Sequence, residues 1–184
     1  LPVEYKNVLT DICKILRDFL PQLKMVFHVF NINNRTDRTG RFLKASKFLG
    51  ITHKETGKSA IDNITLYIEP KVFKKGKDYK AHVNTFKWVA LHESRHIMQY
   101  NDPVLCNCIY NKSLDEFINY LCGGKKNRKK NFNVVLHTFH DFMPFEVDAN
   151  VFACTQLKMF LPSSKFILDH GSLRRFRGQI KSKV

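Results

Sequence analysis

Apolar residues recur at helical spacing from the start of the chain. Tyr5, Val8, Leu9, Ile12, Ile15, Leu16 and Phe19 share one face, and Pro21 stops the run. The spacing predicts an amphipathic helix. The period then changes. Leu23 to Asn33 is β-branched and aromatic and reads as a strand buried on both faces. Asp62 to Glu69 alternates, with Ile64, Leu66 and Ile68 on one side and Asn63, Thr65, Tyr67 and Glu69 on the other. That predicts a half-buried strand, ended by Pro70. Between the two, Asn33 to Gly40 and His53 to Ser59 read as polar turns, and Arg41 to Ile51 fits a strand less clearly.

Beyond a Lys- and Gly-containing turn at Lys74 to Lys80 the pattern becomes helical. Val83 to Tyr100 carries apolar residues almost all round, the mark of a helix inside a core, and Asn101-Asp102-Pro103 ends it. Ser113-Leu-Asp-Glu116 reads as a capping box opening a short helix that closes at Gly123-Gly124. The run Lys125 to Lys130 (KKNRKK) reads as an exposed basic loop, and Phe132 to Phe142 as a helix. Pro144 suits the first turn of a helix from Phe145 to Leu161, before Pro162. No internal repeat is present. The expected fold is α+β: an N-terminal helix, a small mainly antiparallel sheet, then a helical half. It forms one domain over residues 1–172, with a basic tail over 173–184.

Composition narrows the class. Hydrophobic residues make up 43% of the 184, enough for a core, so disorder as the main state is excluded. No apolar run approaches the ~18–20 residues that span a bilayer. Lys+Arg number 31 and Asp+Glu 16, and 31 − 16 gives +15. That charge suits a polyanion partner such as nucleic acid, through Lys125 to Lys130 or Leu173 to Arg177. No nucleic-acid motif accompanies it, which favours a solvated loop and tail. The five cysteines are odd in number and lack framework spacing. They read as free thiols of a reducing compartment, and the cytoplasm is the expected location. The N-terminus shows no signal peptide, and Leu1 in place of an initiator Met leads us to expect further residues upstream.

The chemistry concentrates in His92-Glu93-Ser94-Arg95-His96, an H-E-x-x-H on the buried helix. Residues i and i+4 lie about 40° apart around a helix, so His92 and His96 project side by side. Two imidazoles so placed can share one Zn²⁺, one ion per chain. Glu93 sits next to the first of them, where it can take a proton from water activated by the metal. The flanks Trp88 to Leu91 and Ile97-Met98 are apolar, and polar residues buried among them need partners. The competing reading is an exposed stripe with Glu93 paired to Arg95 or Lys87.

A catalytic zinc site wants a third protein ligand and one open position. Glu146 is the best candidate. On a helix it shares a face with Ala149, Asn150 and Ala153, and the two alanines would allow close approach to the motif helix. Asn150 could support a ligand from behind. Asp148, about 200° around from Glu146, is a weaker ligand but a candidate partner for a histidine N–H.

HESRH followed by E-x-D-A-N-x-F-A resembles the gluzincin branch of zinc metallopeptidases, and most closely the small ImmA/IrrE-type enzymes of bacteria, phages and mobile elements. The resemblance covers about Thr85 to Met159. It implies His92, His96 and Glu146 as ligands, Glu93 as catalytic base and a zincin-like fold. It also implies a sheet edge bordering the cleft, where an extended peptide substrate would add. Asn63 to Glu69 is the candidate edge. Arg95 and the long stretch between His96 and Glu146 depart from the family pattern.

His137, His140 and Asp141 form a second cluster that could bind metal or line the cleft. Either histidine, or Tyr100, could polarise a substrate carbonyl. The expected function is a zinc-dependent peptide hydrolase acting on a peptide or protein. The alternative is a basic regulatory or nucleic-acid-associated protein whose zinc site is structural or vestigial.

Overall fold

The computed structural model describes residues 1–22, 24–31, 48–53 and 63–158. The expected turns at Asn33 to Gly40 and over most of His53 to Ser59 fall outside these residues, as do the tail and the segment after Lys158. Helix α1, Val3–Phe19, forms where the sequence placed it. Its stripe Tyr5, Val8, Ile12 and Leu16 is buried, and the Tyr5 hydroxyl donates to the Val72 carbonyl at 3.1 Å. Glu4 in the first turn and Arg17 in the last complement the helix dipole.

Among the described residues three strands follow: β1 at Val26–Asn31, β2 at Phe48–His53 and β3 at Asn63–Ile68. The sheet order is β1-β3-β2. β1 runs parallel to β3, pairing Val26 with Asn63 through Asn31 with Ile68. β2 runs antiparallel to β3, pairing Phe48 with Ile68 through His53 with Asn63. The fold is α+β and mostly helical, but the expectation of a mainly antiparallel sheet is corrected. β2 follows β1 in the chain without pairing to it, so the two outer strands meet β3 from opposite sides and in opposite senses.

That order also reverses the expected burial of the strands. β3 is central, not an edge, and Asn63 and Thr65 are buried along with Ile64, Leu66 and Ile68. Among the described residues β1 is an edge strand, with Val26, His28 and Phe30 exposed on one face and Phe27 and Val29 half-buried on the other. Alternation in β3 reflects a change of chemistry between two covered faces, apolar on one and polar on the other.

Pro70–Phe73 forms a 3₁₀ turn, and helix α2 runs from Tyr79 to Asn101. Asp102 caps α3 (Pro103–Ile109), its carboxylate accepting from the amides of Val104 and Leu105. α4 spans Lys112–Leu121. Its cap is Asn111, whose side chain accepts from the Leu114 amide, so the expected capping box at Ser113 is corrected: a competent cap two residues earlier starts the helix first. Gly123 and Gly124, at φ 77° and 100°, turn the chain in the left-handed region that side chains disfavour.

The basic run is not a loop. Lys125–Asn127 is a 3₁₀ turn leading directly into α5, Arg128–Phe139. Arg128 is held by Asp115 and Asn119 and lies over the Phe132 ring, while the four lysines point to solvent. A 3₁₀ turn at His140–Phe142 precedes α6, Pro144–Gln156, with Pro144 at the start. α6 stops short of the expected Leu161: it ends at Gln156, and Lys158 takes a positive φ of 52°.

Two apolar clusters hold these elements. The larger joins α1, β3 and α2 around Tyr5, Ile12, Leu16, Ile64, Leu66, Phe86, Leu91 and Ile97, and takes in Ala153 of α6. The smaller gathers Leu114, Ile118, Cys122, Val135 and Met143. Among the described residues no helix is long and apolar enough to cross a membrane.

Candidate metal centre

α2 and α6 pack closely, and the reason is on α6: Ala149 and Ala153 are wholly buried at the contact. Small side chains there bring Glu146 up to the histidines of α2. Glu146 Oε2 lies 3.1 Å from His92 Nε2, and Oε1 lies 3.3 Å from His96 Nε2. The two histidine Nε2 atoms are 3.2 Å apart, their rings perpendicular. Among the described residues His92, His96 and Glu146 form a group able to hold a metal ion, with ligand atoms all within 4.8 Å of one another. Two imidazole nitrogens and one carboxylate oxygen are the donor set of an open zinc site, so the residues fit that ion.

The motif is buried rather than an exposed stripe: His92, Glu93, Ser94, His96 and Gln99 are all inside. Burial alone would push the Glu146 carboxyl up, but hydrogen bonds and charge from His92, His96 and His140 hold it down to about 2. Burial likewise disfavours a charged His96. The Glu146 hydrogen bond and charge, with the charge of Glu93, more than offset this and raise it. Without a metal, a proton is thus drawn to the place a cation would take.

The outer nitrogens of both histidines are also held. His92 Nδ1 lies 3.0 Å from Asn150 Oδ1, and its ring stacks on Trp88. His96 Nδ1 lies 2.8 Å from Gln99 Oε1, and its ring meets Phe145 edge-on. Asn150 thus lies behind the His92 ring, on the side away from Glu146 Oε2. Asp148 does not bond a histidine directly. It takes two bonds from Arg95, at 2.7 and 3.1 Å, and one from Gln99. The 200° offset from Glu146 turns it toward Arg95, away from the rings. Burial raises the Asp148 carboxyl, and the bonds from Arg95 and Gln99 bring it below its ordinary value.

His140 reaches the site as well, with Nε2 3.1 Å from Glu146 Oε1 and Nδ1 3.3 Å from Asp141. Its side chain is more than half exposed, so it faces solvent. The Asp141 hydrogen bond raises it against a smaller opposing effect of burial. His137 is on α5, its side chain outside those described. Tyr100 is half exposed and stacks on Tyr110, which stacks on Phe145. Neither Trp88, Gln99 nor Tyr110 was singled out by the sequence. Gln99 had a signal: it lies one turn beyond His96, on the buried side of the helix.

Comparison of the chain with protein-family models, with curated proteins and with solved structures returns no significant match.

Proposed function

We propose that the chain is a zinc-dependent metallopeptidase. The observation that carries this is the convergence of His92 and His96 with Glu146, fifty residues beyond His96, on one buried point, with the charge of buried Glu93 acting on His96. His92, His96 and Glu146 would hold the ion. When bound, zinc supplies Lewis-acid chemistry, acidifying water and polarising a carbonyl. Glu93 acts as the general base, taking the water's proton as it attacks a peptide carbonyl and passing it to the leaving amine. His140, at the exposed side of Glu146, is placed to donate a hydrogen bond to the carbonyl oxygen as negative charge develops. We read the α2–α6 pair as the core of a zincin-like fold, in keeping with the gluzincin resemblance of the two motifs. The substrate is a peptide or protein. Five free thiols suit a cytoplasmic setting.

A second reading has one observation of its own. Lys125, Arg128, Lys129, Phe132 and Asn133 line an open groove of about 500 Å³. It suits a nucleic-acid-associated regulator that keeps a metal but hydrolyses nothing.

Metal analysis of the purified, zinc-reconstituted protein tests the first reading. We expect about one zinc per chain, lost in His96→Ala, together with cleavage of an unstructured protein substrate. Absence of bound zinc in the wild type would defeat the metal site, and zinc without hydrolysis would favour the regulator.

A further inference from the structure

We infer that Gln99 is a positioning residue, locking His96 in the tautomer that offers Nε2 to a metal, and that Asp148 and Arg95 hold Gln99 in place. The inference rests on the metal-site reading above. Gln99 is fully buried, so each polar atom of its amide must find a partner inside the protein. Its Nε2 donates to the Phe145 carbonyl and to Asp148 Oδ2, both at 2.8 Å. Neither of these can donate a hydrogen. Turned over, the amide would set its oxygen against two acceptors, one of them charged. The amide orientation is therefore settled by its surroundings, and Oε1 faces His96.

The consequence passes to the histidine. Oε1 only accepts, and His96 Nδ1 lies 2.8 Å from it. Nδ1 must carry the hydrogen in the neutral ring, which leaves the Nε2 lone pair directed toward His92 and Glu146. The chain of restraint continues outward. Asp148 is fixed by the paired bonds from Arg95, and Arg95 lies over the Phe152 ring at 5.1 Å. Four side chains on α2 and α6 thus settle one proton position.

The test uses the full chain with zinc and Co²⁺ as probes. In zinc-loaded wild type, nitrogen NMR of the imidazoles should show His96 carrying its proton on Nδ1. His96 bound through Nδ1 would overturn the inference. Gln99→Leu should weaken zinc binding about 10–100-fold in chelator competition, the usual range for losing such support. It should also change the visible spectrum of the Co²⁺ form. Gln99→Glu keeps the acceptor for His96 but sets a carboxylate against Asp148. It should bind zinc less well than wild type, which gives a second variant that does not depend on Gln99→Leu folding. The proton position read by imidazole NMR is the readout that a bulk structural role would not move. Wild-type protein that takes up no zinc would remove the metal reading, and the inference with it. Zinc bound equally by the wild type, Gln99→Leu and Gln99→Glu would overturn the inference alone.

Discussion

His92 and Asn150 meet across the packed faces of α2 and α6, with Nδ1 3.0 Å from Oδ1. Trp88 stacks on the same ring at 5.3 Å between centroids. The imidazole is therefore held at its back edge and on its flat side. Asn150→Ala should lower zinc affinity about tenfold without unfolding the protein, while Asn150→Asp should retain or strengthen binding, because a carboxylate makes the imidazole a better donor. Chelator competition measures both. Unchanged affinity in the alanine variant would leave Trp88 as what orients the ring.

Glu93 lies beside His92 and is buried. Glu93→Gln keeps the shape and cannot accept a proton. It should leave zinc content near that of the wild type and reduce peptide hydrolysis by at least about 10²-fold, the lower end for removal of a general base. Retained hydrolysis would move the role of base elsewhere, with His140 the nearest alternative.

The metal-free protein should be most stable between about pH 4.5 and 6.5. Glu146 is held down to about 2 from an ordinary 4.5, so its contribution is complete above 4.5 and is lost as pH falls toward 2. His96 is raised from 6.5, so its contribution is complete below 6.5 and is lost as pH rises through the folded value. Thermal midpoints of chelator-treated protein across this range should fall on both sides. Glu146→Gln removes the shared partner and should flatten both limbs. An unchanged profile in that variant would assign the pH dependence to other groups.

The basic run divides into one anchored cation and four free ones. Arg128 is tied to Asp115 and Asn119, whereas Lys125, Lys126, Lys129 and Lys130 are exposed. Arg128→Ala should cost about 1 kcal/mol of stability, the worth of its partly exposed bonds. Replacing the four lysines by Gln should change stability by less than about 0.5 kcal/mol and leave hydrolysis intact. A loss of nucleic-acid binding in the lysine variant, with a flatter dependence of log K on log[salt], would instead promote the regulatory reading.

Helices were more legible in the sequence than strands, and the physical reason is range. The stripe of α1 and the apolar envelope of α2 are written in residues three and four apart. Glu146 could be found because two alanines on its face announced a close approach. Strand order depends on partners far along the chain, and alternation in β3 could not say that both of its faces were covered. The charge of the KKNRKK run suggests a loop, although Lys and Arg are good helix formers and the run opens a helix. Gln99 stayed hidden because a polar residue on a helix reveals its use only when the partners on another helix, Phe145 and Asp148, are in place.

The two apolar clusters divide the labour of holding the site. Met143 at the start of α6 belongs to the smaller cluster, Ala153 near its end to the larger, and Glu146 comes between them. His92 and His96 ride on α2, which the larger cluster frames through Leu91 and Ile97. The candidate ligand set therefore straddles a seam between two apolar clusters. An ion held by all three residues would act as a clasp across that seam, coupling the opening of one unit to the other.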